Sequence, residues 1–260
     1  MRHVGTTGAR RVTCRPLALR ETPMRASAVA VPLVLCFARP HGAVAQQLYR
    51  VSWWDAASIA VAGGLAVIPT AAGLPSGPPP CAPCDPATLS DFDRVALNTF
   101  SSSAATTSNF LLIGVTAGSA AALLEGADPK RARGDVAVFG NALTWTLATT
   151  EWLKVAVHRS RPVLYTADAP AAASSPENRK SFPSGHASLA FAAATSYLVM
   201  SGRHRLRHRA RNAALLYAGA LGVCALRVAA GKHFPTDVIG GAALGSGVGW
   251  LVATIHPTEP

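Results

Sequence analysis

The chain has 260 residues, of which 50% are apolar and 14% charged, and its formal net charge at pH 7 is +11. Soluble globular proteins carry about 25% charged residues, so the composition disfavours both an ordinary cytosolic enzyme and a disordered chain. Nearly all of the net charge comes from residues 1–25 and from the arginine-rich segment 203–211. Charge concentrated in two short blocks is typical of segments that flank membrane spans, and it disfavours a nucleic-acid-binding surface.

The first 45 residues have the features of a targeting segment. Met24 and Arg25 begin a short basic stretch, residues 26–38 are apolar, and residues 43–45 (Ala-Val-Ala) match the pattern of a signal-peptide cleavage site. We therefore predict that residues 1–45 form an N-terminal extension and a signal peptide, and that the protein is exported. The alternative is an uncleaved membrane anchor.

Residues 46–100 are predicted to form an exported N-terminal segment. Its apolar stretch, 56–74, is rich in Gly and Ala and is interrupted by Pro69, which argues against a span. Cys81 and Cys84 follow, without the second Cys pair or His cluster that a zinc site needs. On the exported side of a membrane, these two residues are predicted to form a local disulfide.

Residues 101–256 are predicted to form a helical core. The windows 104–124, 181–202 and 238–258 contain no Asp, Glu, Lys or Arg and are about 20 residues long, which is enough to cross a bilayer. The shorter windows 136–150 and 212–226 reach that length only with charged residues at one end. Strand signals are weak, so we predict an all-α, membrane-embedded bundle with five or six spans. A soluble helical bundle with apolar buried helices is the alternative.

The basic loops orient this bundle. Residues 125–135 and 203–211 carry most of the Lys and Arg of the core and are predicted to be cytoplasmic. Consequently, residues 154–184 and 229–236 meet on the exported face, and these two loops hold three polar clusters.

The three clusters have the chemistry of a phosphate site. Three cations and the free amides at a helix N-terminus suit a phosphate dianion, and two imidazoles allow one to attack phosphorus while the other protonates the leaving oxygen. No acidic cluster suited to Mg²⁺ occurs, so we predict no metal and no cofactor. The candidate residues are Lys154, Arg161, Ser184, Gly185, His186, Arg227, His233 and Asp237.

These residues resemble a known three-part signature. Lys154-x6-Arg161-Pro162, Pro183-Ser184-Gly185-His186 and Arg227-x5-His233-x3-Asp237 are similar to the motifs of the type 2 phosphatidic acid phosphatase superfamily, which includes bacterial non-specific acid phosphatases and vanadium haloperoxidases. The resemblance covers roughly residues 100–255. Leu226 departs from it, because the family usually has Ser before the third-motif Arg. We expect this change to remove local support for Arg227 without abolishing activity.

The resemblance also implies residue roles. His233 is expected to be the nucleophile that forms a phosphohistidine, Asp237 to orient it, and His186 to act as general acid. The phosphate oxygens are expected to be held by Lys154, Arg161, Ser184, Gly185 and Arg227.

The predicted function is a metal-independent phosphatase that hydrolyses a phosphomonoester or diphosphate at the exported face of a bacterial-type cell membrane. Membrane embedding favours a phosphorylated lipid over a small soluble phosphate ester, and no nucleic-acid partner is expected. The alternatives are a soluble exported acid phosphatase, a vanadate-dependent haloperoxidase and a non-catalytic membrane protein.

Overall fold

The computed structural model describes residues 48–259, so the predicted targeting segment lies outside the described residues. Six long helices make up most of this part of the chain: α1 (Trp53–Ala71), α2 (Ser102–Leu124), α3 (Pro129–Val157), α4 (Gly185–Arg203), α5 (Arg209–Ala229) and α6 (Pro235–Ile255). The loops contain two short α-helices, Asp91–Arg94 and Ala169–Ala172, and four 3₁₀ turns, Pro86–Thr88, Val95–Asn98, Pro162–Tyr165 and Pro176–Arg179. Between residues 48 and 259 the only extended pairing is one bridge, Tyr49 to Thr258. The all-α prediction is confirmed.

Helix α4 is the centre of the bundle, and it contacts α2, α3, α5 and α6. Its tightest neighbour is α6, which presents Gly241, Gly245 and Gly249 at four-residue spacing. A Cβ atom on Gly245 would overlap the carbonyl oxygen of Ser188, so only glycine allows the two backbones to approach this closely. This packing brings the N-terminal ends of α4 and α6 together.

Four of the helices, α1, α2, α5 and α6, are long and apolar enough to cross a membrane. Large apolar side chains point outward from them, including Phe110 and Ile113 on α2, Leu215 on α5 and Ile255 on α6. An apolar outer surface around a helical bundle is what a lipid environment requires. The structure therefore supports membrane localisation.

Helix α1 shows why the argument from Pro69 against a span does not hold. A proline cannot donate a hydrogen bond to the carbonyl four residues earlier, which here belongs to Leu65. Trp152 of α3 supplies the missing donor, with its Nε1 atom 3.1 Å from the Leu65 oxygen. The helix therefore continues through Pro69 to Ala71 and qualifies as a candidate span.

Helices α1 and α3 run in the same direction. Ser58 accepts a hydrogen bond from Trp145 at 2.9 Å, and Leu65 accepts one from Trp152 at 3.1 Å. The two residues of each pair are 87 positions apart, so the two helices advance together. The start of α1 therefore lies at the end of the bundle that carries the basic loops, where the Tyr49 ring is 5.7 Å from that of His204. The described part of the predicted N-terminal segment, residues 48–100, therefore begins at this end of the bundle, and α1 takes the chain to the opposite end.

The cysteine pair lies at the opposite end. Cys81 and Cys84 are joined in a disulfide, and the Cys84 amide donates to the carbonyl of Leu164 at 2.7 Å. This contact attaches the loop after α1 to the loop that follows α3, which carries the first motif.

Candidate active site

The first motif begins in the last turn of α3. The ammonium group of Lys154 is buried and lies 2.5 Å from a carboxylate oxygen of Glu151. Helix α3 ends at His158, which adopts a left-handed conformation and turns the chain toward Arg161. A Cβ atom on Gly185 would lie 3.3 Å from Lys154 Nζ, so the absence of a side chain leaves room for this cation beside the start of α4.

Three of the motif residues have a buried donor that lacks an acceptor in the described part of the chain. The Nε atoms of Arg161 and Arg227 and the Oγ atom of Ser184 are buried and have no hydrogen-bond partner within residues 48–259. Among the described residues, the Arg161 side chain has one ion pair, with a carboxylate oxygen of Glu177 at 3.6 Å, and burial lowers the pKa of Arg161. Buried donors are normally paired, and planar guanidinium groups are suited to bind phosphate oxygens.

His233 lies in the turn between α5 and α6. Gly231 ends α5 with φ 61°, and a Cβ atom there would overlap the Phe100 ring, so glycine is required both by conformation and by space. The His233 side chain is 2% exposed, and its Nδ1 atom donates to the carbonyl oxygen of Ser181 at 2.7 Å. This bond leaves the Nε2 lone pair as the nucleophilic position of the neutral ring.

Asp237 does not accept a hydrogen bond from His233, although its position in the motif suggests that it would. The nearest carboxylate oxygen is 3.8 Å from His233 Nδ1. Asp237 is instead engaged by the hydroxyl of Ser181 at 2.5 Å and by the amide of Phe234 at 2.8 Å. Burial lowers the pKa of His233 to about 4, although Asp237 acts in the opposite direction, so the ring is neutral at pH 7.

His186 completes the cluster from the first turn of α4. Its Nε2 atom is 2.7 Å from the side-chain oxygen of Asn109 on α2. His186 also interacts electrostatically with residues of the first and third motifs, namely Lys154, Arg161, Arg227 and His233. The structure thus brings the three motifs together at one end of the bundle.

Arg159 and Asp93 belong to this site but are not predicted by the sequence. Arg159 forms ion pairs with Asp237 at 2.5 Å and with Asp93 at 2.7 Å, and its guanidinium group stacks on the Phe234 ring. Burial opposes its charge, but the two carboxylates outweigh burial and raise the pKa of Arg159. Asp93 also accepts from the Thr236 amide at 3.0 Å. The only sequence signal was the position of Arg159 between Lys154 and Arg161.

Within residues 48–259, no group of three or more His, Cys, Asp and Glu side chains is placed to share a metal ion. The motifs instead supply nitrogen donors: Arg161 and Arg227 interact electrostatically with His233, and the Lys154 ammonium group lies beside Gly185 at the start of α4. Such donors bind anions.

Comparison with known proteins agrees with this chemistry. The family model described as the PAP2 superfamily matches residues 135–260, a range that contains all three motifs. No curated protein and no solved structure matches the chain. The family match implies an activity of the phosphatase type. Residues 135–260 therefore match the PAP2 superfamily, in agreement with the helical fold and the three motifs.

Proposed function

We propose that the protein hydrolyses a phosphomonoester or diphosphate through a phosphohistidine at His233. The observation that carries this proposal is the set of buried donors without acceptors on Arg161, Ser184 and Arg227, together with the neutral imidazole of His233. A phosphate dianion supplies the acceptors that these groups lack.

The first half of the reaction transfers the phosphoryl group to the protein. The Nε2 lone pair of His233 attacks phosphorus as the bond to the leaving oxygen breaks, and His186 gives that oxygen a proton. Positive charge then develops on the His233 ring, where the carbonyl oxygen of Ser181 stabilises the Nδ1 hydrogen. Water next attacks the phosphohistidine while His186 takes back a proton, and inorganic phosphate leaves.

The cations act mainly by electrostatics. Lys154, Arg161 and Arg227 stabilise the equatorial oxygens of the phosphoryl group in the transition state. The amides at the start of α4, beside Ser184 and Gly185, add the partial positive charge of a helix N-terminus.

We further propose that the substrate is a phosphorylated lipid and that the site is on the exported face. The candidate spans and their outward apolar side chains support the first point. The positive-inside rule supports the second, because the arginine-rich loop 203–211 lies at the end opposite the site. With α1 spanning the membrane, residues 48–52 are cytoplasmic, which does not fit cleavage of a signal peptide after Ala45.

A substrate panel tests this function. Purified protein in detergent, with a chelator present, is assayed for phosphate release from phosphatidic acid, a polyprenyl diphosphate, glycerol phosphate and 4-nitrophenyl phosphate. We expect release from all active esters to be lost in His233→Asn, and kcat/KM to be higher for a lipid than for glycerol phosphate. Hydrolysis of none of these esters would refute the proposal, and a preference for the soluble esters would identify an acid phosphatase.

The general-acid role of His186 is tested with leaving groups of different basicity. An alkoxide needs a proton to depart, whereas 4-nitrophenolate hardly does. We expect His186→Ala to lose most activity on an alkyl phosphate and to keep much more on 4-nitrophenyl phosphate. Equal losses on the two substrates would show that His186 is not the general acid.

A further inference from the structure

Helix α2 contacts the site with two consecutive polar residues. Ser108 is fully buried, and its hydroxyl lies 3.3 Å from an Nη1 atom of Arg227. Asn109 places its side-chain oxygen 2.7 Å from Nε2 of His186. Both residues precede the range matched by the family, 135–260, so neither is part of the three motifs.

Asn109 is exposed on a candidate membrane span, next to Phe110, which is 69% exposed. A polar group in such a place is unfavourable unless it has a partner, and the His186 ring is the partner that the structure supplies. Ser108 gives Arg227 a hydroxyl contact from α2. The position before Arg227, where this motif usually has serine, is occupied by Leu226.

The contact between Asn109 and His186 also determines which ring nitrogen of His186 can transfer a proton. An amide oxygen only accepts hydrogen bonds, so Nε2 of His186 carries a hydrogen directed at Asn109. The exchangeable proton is therefore on Nδ1, and the orientation of the ring is fixed from the side of α2.

We propose that Asn109 is a positioning residue for His186, holding Nε2 so that Nδ1 delivers the proton to the leaving oxygen. This inference rests on the proposed phosphatase function. Asn109 itself neither bonds to the substrate nor transfers a proton.

The test compares Asn109→Ala with wild type on an alkyl and an aryl phosphate. General acids contribute about 10²- to 10⁴-fold, so mispositioning His186 is expected to lower kcat by about tenfold on glycerol phosphate, with KM unchanged. On 4-nitrophenyl phosphate we expect a change below about twofold, because that leaving group needs little protonation. Thr106→Ala is the matched control, because Thr106 is exposed one turn earlier on α2 and its hydroxyl donates to the Ser102 carbonyl of its own helix.

Two further variants separate positioning from a general structural role. In a His186→Ala background, Asn109→Ala is expected to cause no additional loss, since the group it positions is gone. Asn109→Asp is expected to move the basic limb of the pH–rate profile to higher pH, because a carboxylate stabilises the imidazolium.

This inference alone would be overturned if Asn109→Ala lowered kcat equally on both substrates. It would also be overturned if Asn109→Ala caused the same loss in the His186→Ala background as in wild type. A wild-type protein that hydrolyses none of the esters of the substrate panel would overturn the proposed function and this inference with it.

Discussion

The Nδ1 atom of His233 lies 2.7 Å from the carbonyl oxygen of Ser181, whereas the nearest carboxylate oxygen of Asp237 is 3.8 Å away. Asp237 binds the Ser181 hydroxyl and the Phe234 amide, and these two residues belong to the segments that contact or adjoin His233. We propose that Asp237 orients His233 by fixing these two backbone segments.

This arrangement predicts different effects for two neighbouring changes. Ser181→Ala keeps the carbonyl oxygen that accepts from His233, so kcat is expected to fall by less than about tenfold. Asp237→Asn places an amide against the Arg159 donors and shifts the loop, and misplacement by about 1 Å can cost about 10²-fold in kcat. Steady-state kinetics on 4-nitrophenyl phosphate measures both effects. An equal loss in the two variants would contradict this role for Asp237.

The ion pairs of Arg159 predict a stability effect. Arg159→Ala leaves Asp93 and Asp237, which are 5% and 0% exposed, without their cation. Removing one partner of a buried pair typically costs roughly 3–5 kcal/mol in the free energy of unfolding. Asp91→Asn is the control, because its partner is Arg94 on the surface and such pairs contribute about 0–1 kcal/mol. Similar unfolding midpoints for Arg159→Ala and Asp91→Asn in denaturant titrations would show that the pairs are not structural.

The burial of His233 predicts a pH dependence. Its pKa falls from the ordinary 6.5 to about 4 in the folded protein. Between these values the unfolded chain binds a proton that the folded protein does not, so stability decreases as pH falls from 6.5 to 4 and this contribution is constant above 6.5.

Thermal unfolding in detergent at a series of pH values measures this effect. We expect His233→Gln to lose part of the decrease between pH 6.5 and 4, and His208→Gln, which changes an exposed histidine, to follow wild type. Parallel curves for wild type and His233→Gln would contradict the assignment.

Much of the helical core could be predicted because charge-free windows and helices coincide, as with residues 104–124 and α2. The span formed by α1 could not be predicted, since the donor that replaces the missing Pro69 amide at the Leu65 carbonyl is Trp152, which is distant in the chain. Spacing within the motifs identified His186 and His233. Asp93 and Asn109 have no such pattern, because their contacts join residues 66 and 77 positions apart.

Membrane orientation is tested with cysteines introduced at the two ends of the bundle. In protein whose Cys14, Cys36 and Cys224 are replaced by Ser, an impermeant maleimide is expected to label Asp168→Cys on intact cells, and Arg207→Cys only after permeabilisation. Both positions are exposed in loops at opposite ends. The reverse labelling pattern would place the site in the cytoplasm.

The proposed reaction depends on a covalent intermediate on His233, which rapid quenching with ³²P-labelled 4-nitrophenyl phosphate can detect. After denaturation at high pH, we predict an acid-labile label on the peptide that contains His233, more of it in His186→Ala if that residue also activates water, and none in His233→Asn. The same acid-labile label in His233→Asn, or full turnover by wild type with no labelled protein, would contradict the account.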